Sequence, residues 1–303
     1  MIKNLFGSTE RMADPRKILK ANAKGEFFVD STCIDCDVCR EIAPEVFGDS
    51  GGYSYVRSQP NNENERRKAV RALISCPVGA IGFVGDNSKS LILSVINDFP
   101  ILIDDDVFYC GFNSEKSYGA NSYFIKNPKG NLLVDSPRFT SHLVKKFESM
   151  GGIKYIFLTH RDDVADAERF AKYFNSTTVI HKYDLIGFKN ADFIIEGEEP
   201  VQIEREFLVI PAPGHTKGHC VLLYKDKFLF TGDHLWWSED ENCLSAGKSV
   251  CWYSWEEQIK SVEKLVEFDF EWILPGHGRR VKLPKDKVKE ELRKLVERMK
   301  KSC

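Results

Sequence analysis

With 303 residues, 42% of them hydrophobic and 29% charged, and a formal net charge of -2, the chain has the composition of an ordinary soluble protein with room for about two domains. A charge this close to neutral offers no basic field to nucleic acid or an anionic membrane, and no stretch approaches the roughly 18 apolar residues of a spanning helix. The opening Met1–Ser8 is too poor in apolar residues for a secretory signal, so a cytoplasmic setting is expected. In that setting nine cysteines point to metal rather than to disulfides.

Residues 1–24 are polar, mildly basic and without periodicity, and are expected to form an arm. Phe27–Asp30 carries a strand signal and leads into Cys33-Ile34-Asp35-Cys36-Asp37-Val38-Cys39, with Cys76-Pro77 farther on. That spacing lets a tight loop present three thiolates to one face of a cubane, while a remote fourth closes the tetrahedron. A four-cysteine zinc knuckle is the competing use of such residues; the middle cysteine of the triplet and the Cys-Pro pair favour the cluster. The segment resembles bacterial-type ferredoxins. In two-cluster members a fourth cysteine follows the third after three residues, before a proline; here that position is Ala43, Pro44 is retained, and residues 40–75 hold no cysteine. The resemblance implies one [4Fe-4S] cluster on Cys33, Cys36, Cys39 and Cys76, in a domain over residues 25–86 at which a redox partner would dock. Asn61–Ser75 has a helix-like pattern, Val78–Phe83 would close a small sheet, and the turn-rich residues 84–90 mark a boundary.

A second domain is expected over residues 87–303. Leu91–Ile96, Ile101–Cys110, Ser122–Ile125 and Leu132–Val134 read as strands, the last two joined by a turn at Asn127–Asn131. A helix follows over Thr140–Met150, ended by Gly151-Gly152, and then a short buried strand over Lys154–Phe157. Further strand-like runs lie at Thr177–Ile180, Phe207–Ile210, Val221–Tyr224 and Phe228–Phe230, with helices at about Trp255–Phe268 and Asp286–Lys300. In the last helix Val288, Leu292, Leu295, Val296 and Met299 make one apolar stripe, expected to cover the core.

Histidines and aspartates stand just after several of these strands. Leu158–Ala167 packs His160, Asp162, Asp163 and Asp166 into seven residues, and His215, Asp233 and His277 follow later strand-like runs. A metal site drawn from several strand ends needs donors of these types. Asp162, Asp163 and Asp166 have an alternative use as acids at a helix start, where the dipole favours each by about 0.3–1 kcal/mol. Pro213-Gly214-His215-Thr216-Lys217-Gly218-His219, then Phe230-Thr231-Gly232-Asp233-His234, then Leu274-Pro275-Gly276-His277-Gly278 resemble the metallo-β-lactamase superfamily. The resemblance covers about residues 91–280 and implies a layered αββα sandwich, so that the whole chain is of the α+β class, a small ferredoxin-like domain followed by the sandwich.

Residue by residue, the resemblance makes His215 a ligand of a first metal, Asp233 the bridging carboxylate and His277 a ligand of a second. His160 matches the opening histidine of the family's His-x-His-x-Asp-His loop. The rest departs: Asp162 stands where the second histidine belongs, and Val164 and Ala165 where the Asp-His pair belongs. With two residues allowed as an insertion, Asp166 aligns with the loop aspartate. The expected ligand set is therefore His160, Asp162, Asp166, His215, Asp233 and His277, with Asp166 and Asp233 as the catalytic carboxylates, holding one or two divalent ions, zinc or iron. His219 and His234 flank ligands and are candidates for orienting them. Trp236, Trp237, Trp252 and Trp255 would wall a pocket or pack in the core.

Three functions stay open. The first is hydrolysis of a small ester, thioester or lactone by metal-activated water, the scheme of glyoxalase II. The second is non-haem iron redox chemistry on the set His160, His215 and Asp233, fed by the ferredoxin-like domain. The third is an iron–sulfur sensor or binding protein with a decayed metal site.

Overall fold

The structure, a computed structural model, describes residues 13–85 and 87–302. Contacts divide the chain into two units. The first runs to Lys154 and adds Ala165–Ser176; the second takes Tyr155–Val164 and everything from Thr177 onward. This division differs from the boundary expected near residue 86, because residues on both sides of that point hold one another. Asp98 pairs with both Arg67 and Arg71, for example.

In the first unit, β1 (Phe27–Val29) pairs antiparallel with the later strand at Ile81–Phe83, and the Phe27 and Phe83 rings stack at 4.2 Å. Between them come α1 (Val38–Ile42), which carries Cys39, the hairpin of β2 (Phe47–Asp49) and β3 (Ser54–Val56), and α2 (Glu63–Ser75). The Asn62 side chain accepts from Glu65 N at 3.0 Å and the Glu65 carboxylate accepts from Asn61 N at 2.8 Å. This reciprocal cap starts α2, whose buried face begins at Ala69. The partner of β1 is β4 (Ile81–Phe83). Of the expected arm over residues 1–24, residues 1–12 lie outside the described part; Ile18 forms a single bridge to Asp30.

The strand expected over Leu91–Ile96 is instead in a helix, α3 (Ser88–Val95). Ile92, Val95 and Ile96 are buried while Leu93 faces outward, an i, i+3, i+4 pattern that a two-residue period cannot produce. The run Ile101–Cys110 is likewise a hairpin, β5 (Ile101–Asp104) and β6 (Val107–Tyr109), turned at Asp105 with φ of 44°. β7 (Tyr123–Ile125) and β8 (Leu132–Val134) continue the antiparallel meander. α4 (Ser141–Ser149), capped by Thr140, and α5 (Ala167–Phe174) complete the unit.

The second unit holds a parallel set, β9 (Tyr155–Phe157), β10 (Thr177–His181) and β11 (Phe193–Ile195). It also holds an antiparallel run of β12 (Val201–Glu204), β13 (Phe207–Pro211), β14 (Cys220–Tyr224) and β15 (Phe228–Gly232). A hairpin, β16 (Trp236–Ser238) and β17 (Cys243–Ser245), leads to α6 (Trp255–Leu265). β18 (Trp272–Pro275) then lies parallel to β15, β19 (Val281–Lys282) pairs with β18, and α7 (Lys285–Lys301) follows. The α7 stripe of Val288, Leu292, Leu295, Val296 and Met299 packs into one cluster with Ile259, Val262 and Leu265 of α6 and the apolar face of β13 to β15. Strand direction sets the site: β13, β15 and β18 all point the same way, so the residues after them emerge at one sheet edge.

Candidate metal centre and iron–sulfur site

His215 follows β13, Asp233 follows β15 directly, and His277 follows β18. The bond from Gly276 N to Gly232 O, 2.8 Å, holds the last two strand ends side by side. His160 follows β9, and its loop is fastened to the same edge by Cys220 N donating to Thr159 O at 2.8 Å. Four donors from four strand ends therefore converge. His160 Nε2 and His215 Nε2 each lie 3.8 Å from Asp233 Oδ2, and 4.0 and 3.9 Å from Asp162 Oδ2. These separations are too long for hydrogen bonds. They suit one ion, since two atoms each about 2.1 Å from a metal lie roughly 3–4 Å apart.

A second group shares Asp233: Asp163, Asp233 and His277 bring donor atoms within 4.8 Å of one another, as do His160, His215 and Asp233. His277 Nδ1 is 2.7 Å from Asp233 Oδ1. Gly276 is what permits this closeness, because a Cβ there would stand 2.8 Å from Asp163 Oδ2 and 2.9 Å from Asp233 Oδ1.

The electrostatics match metal ligands. Burial pushes His160 down to about 3 and lowers His215, so both imidazoles are neutral and offer a lone pair. His160 Nε2 is buried without a hydrogen-bond partner among the described residues, which a cation would satisfy. Burial alone would raise Asp233, but His277, His160 and His215 around it hold its carboxyl well below the usual range. Burial raises Asp162, which is half exposed at the mouth of the site.

The structure treats the expected loop ligands unequally. His160, Asp162, His215 and Asp233 come together, and His277 joins Asp233 from the other side. Asp166 does not serve as expected. Its carboxylate accepts from Lys116 Nζ at 2.6 Å and from Phe139 N at 2.9 Å, with Arg169 at 3.7 Å, and it stands at the N-cap of α5. Burial would raise its pKa, but the Lys116 and Phe139 bonds hold it low. Both oxygens are committed, and Asp166 belongs to neither donor group.

Asp163 is the residue that the alignment of the loop missed: skipping two positions to reach Asp166 passed over the buried carboxylate that reaches Asp233 and His277. Asp184 was also missed. It is completely buried and accepts from Thr216 Oγ1, from Gly218 N at 3.2 Å and from Arg161 N at 3.2 Å. One carboxylate thus holds the loops of His160 and His215 together. An acid following the apolar strand β10 was the only sequence signal for it.

His219 and His234 are fully buried, stacked at 5.2 Å, and neither has a hydrogen-bond partner at its ring nitrogens among the described residues. Burial drives both toward the neutral form, His234 to about 3. Trp252 is exposed, with its ring 6.2 Å from that of His215, whereas Trp237 and Trp255 pack on the core. A cavity of about 150 Å³ is lined by His181, Tyr183, Lys217, His219, Tyr253 and Glu257, among others, and Lys217 Nζ stands 4.1 Å from the Tyr183 ring centroid.

In the first unit the four cysteines Cys33, Cys36, Cys39 and Cys76 line one small cavity. Asp35 and Asp37 take left-handed φ values of 60° and 68°, which bends the loop around it. Arg40 clamps the bend by pairing with Asp35 at 2.7 Å and with Asp37. Backbone N–H groups point at sulfur: Ser54 N lies 3.4 Å from Cys33 Sγ, and Ala80 N 3.3 Å from Cys76 Sγ. Burial raises Cys36, Cys39 and Cys76 from the ordinary thiol value, Cys36 well above it. Thiolates stand at such a place only with the positive charge of a metal cluster beside them.

Residues 29–83 match the family model described as the 4Fe-4S single cluster domain of ferredoxin I. The hydroxyacylglutathione hydrolase of Wigglesworthia glossinidia brevipalpis is 35% identical over 112 residues, 36% of this chain and 43% of that protein. The beta-lactamase-like protein 2 homolog of Drosophila melanogaster is 24% identical over 199 residues, 59% of this chain and 65% of that one. The chain thus spans less than two thirds of the length of these curated relatives. Among solved structures, DIM-1 metallo-beta-lactamase superposes with a TM-score of 0.51 at 19% identity, over 65% of this chain and 95% of that one, a likeness of fold. The two domain types together imply an iron–sulfur cluster and divalent metal. Residues 102–297, which contain every donor of the histidine–aspartate site, match the family model for the metallo-beta-lactamase superfamily, and the chain belongs to that superfamily.

Proposed function

We propose that the chain is a metal-dependent hydrolase acting on a small ester, thioester or lactone, with a [4Fe-4S] electron-transfer domain attached. The observation that carries this reading is the sharing of Asp233 by two donor groups: His160, Asp162 and His215 on one side, Asp163 and His277 on the other. When bound there, divalent ions supply a water of lowered pKa and a Lewis acid for the scissile carbonyl. The residues do the rest. Neutral His160 and His215 offer their Nε2 lone pairs, and Asp233, ionised at any working pH, divides its two oxygens between the groups. Asp184 fixes the spacing of the two loops, and the cavity beside His219 gives room for the part of the substrate that does not react. Among the described residues the buried Nε2 atoms of His160 and His215 have no hydrogen-bond partner, which speaks against a decayed site, since each would be costly without a cation.

With Asp162 in place of one loop histidine and an alanine in place of the other, the donor set is richer in oxygen than the family's loop, which favours iron over zinc. A second reading rests on this: His160, His215 and Asp233 are a two-histidine, one-carboxylate group suited to non-haem ferrous iron. Protein purified without air and assayed for metal and for thioester and lactone hydrolysis separates the two. Near two ions per chain beyond the cluster iron, with hydrolysis abolished by a chelator and restored by metal, supports the hydrolase. About one extra iron, oxygen uptake driven by a reductant and no hydrolysis would overturn it in favour of the redox enzyme.

A further inference from the structure

The residues that line the iron–sulfur pocket lie between Val29 and Ile81, and residues farther along the chain pack against them. Gly119, in the loop after β6, has φ of 91°, and a Cβ there would lie 2.9 Å from Cys36 Cβ, 3.1 Å from Cys36 Sγ and 3.2 Å from Pro77. Only glycine brings the backbone this close to a cluster thiolate. The neighbouring Tyr118 hydroxyl donates to Ile34 O, inside the Cys33–Cys36 turn, and Asn121 Nδ2 donates to Glu41 Oε2 at 3.1 Å. The loop is held in this shape by Asn113, whose buried amide donates to Gly119 O at 2.7 Å and to Ala120 O at 3.1 Å while accepting from the Tyr109 hydroxyl at 2.6 Å. On the other side of the pocket, Arg138 Nη2 donates to Ile74 O at 3.0 Å and to Cys76 O at 3.4 Å. This puts a permanent cation on the strap that carries the fourth cysteine.

We propose that residues 113–121 and Arg138, which lie in the superfamily-matching part of the chain, complete the iron–sulfur site: Gly119 closes the Cys36 side, and Arg138 sets the cluster's reduction potential. Adding an electron to a four-thiolate cluster adds one negative charge to an assembly that is already anionic. A guanidinium beside Cys76 stabilises the reduced form more than the oxidised one and raises the potential. Arg138 acts through charge and through its hold on the backbone on either side of Ser75, so it is a positioning and tuning residue rather than a catalytic one. The ferredoxin-like segment is then no detachable carrier, because its cluster depends on side chains more than fifty positions away in the sequence.

The test uses the full chain, purified without air and reduced stepwise with dithionite while the paramagnetic signal of the reduced cluster is followed. Arg138→Gln is expected to shift the midpoint to a more negative potential. Arg138→Lys should restore most of the wild-type value, and Arg57→Gln, which removes an exposed charge from the same segment, should leave it unchanged. Gly119→Ala is expected to lose much of the iron and sulfide per chain with the far-ultraviolet circular dichroism retained. If that variant fails to fold, the Arg138 series still decides. A wild-type midpoint in Arg138→Gln, or an equal shift in Arg138→Lys, overturns the assignment of charge to Arg138; full cluster content in a folded Gly119→Ala chain overturns the closure. A wild-type protein without any iron–sulfide chromophore would instead sink the cluster on which the proposal rests.

Discussion

Asp233 and Asp163 make different demands on the metal centre, and substitution tells them apart. Asp233 belongs to both donor groups and Asp163 to one. Asp163→Ala is expected to lower the metal content by about one ion per chain while His160, His215 and Asp233 keep the other, as read by metal analysis after dialysis; retention of the full complement would remove Asp163 from the ligand set. Asp184 touches no donor atom but holds both ligand loops. Asp184→Asn turns one acceptor into a donor facing N–H groups, at a cost of about 1–3 kcal/mol for each buried group left without a partner. The expected result is weaker metal binding, seen by competition with a chelator, and an altered visible spectrum of the cobalt-loaded protein. An unchanged affinity and spectrum would show that the loops keep their spacing without it.

The buried imidazoles also give a pH dependence. His160 and His234 are pushed by burial down to about 3 in the folded chain, while the unfolded chain takes up those protons below about 6.5. Between these values the unfolded state binds more protons, so stability falls as pH falls from about 6.5 towards 3, by about 1.4 kcal/mol per unit for each group. The melting temperature of chelator-treated protein should therefore drop steadily between pH 7 and pH 5, and a flat profile would contradict the burial of these rings.

Among the elements, α5 shows how one acid can look like a ligand and instead brace a helix start against the chain around it. Asp166 ends the loop of ligands and begins the helix, and its partners are Phe139 N and Lys116 Nζ. Asp166→Ala is expected to destabilise the fold by about 1–2 kcal/mol in urea unfolding while metal content stays at the wild-type level; loss of metal would return Asp166 to the site. The strands teach a related lesson. Leu91–Ile96 is apolar enough for a strand, but its burial follows the helical period, and α3 takes it. Runs such as Phe207–Pro211 and Phe228–Gly232 were legible because they are long, buried on both faces and bounded by turns. The β2–β3 and β16–β17 hairpins were not, since their three-residue strands mix apolar residues with polar ones or glycine, unlike the wholly apolar Leu132–Val134.

For the molecule as a whole, two metal-binding chemistries share one chain, and the residues supporting the cluster are spread beyond the cysteine-rich segment. Among the described residues, no helix is long and apolar enough to cross a membrane. The sequence by itself carried the superfamily, the four-cysteine spacing of a ferredoxin-like domain, and three donor-bearing pairs that the structure brings together, Gly214-His215, Gly232-Asp233 and Gly276-His277. These were legible because covalent spacing fixes them: a thiolate triplet two residues apart, or a donor one residue beyond a strand and its glycine, keeps its local geometry whatever surrounds it. Only the tertiary structure put Asp163 rather than Asp166 beside Asp233 and His277, brought in Asp184, and put Gly119 against Cys36. An irregular loop has no period from which to read which way each carboxylate points. The partners that decide the matter, Gly276 for Asp163, Lys116 for Asp166 and Thr216 for Asp184, are distant in the chain and meet only when the strands have fixed their ends.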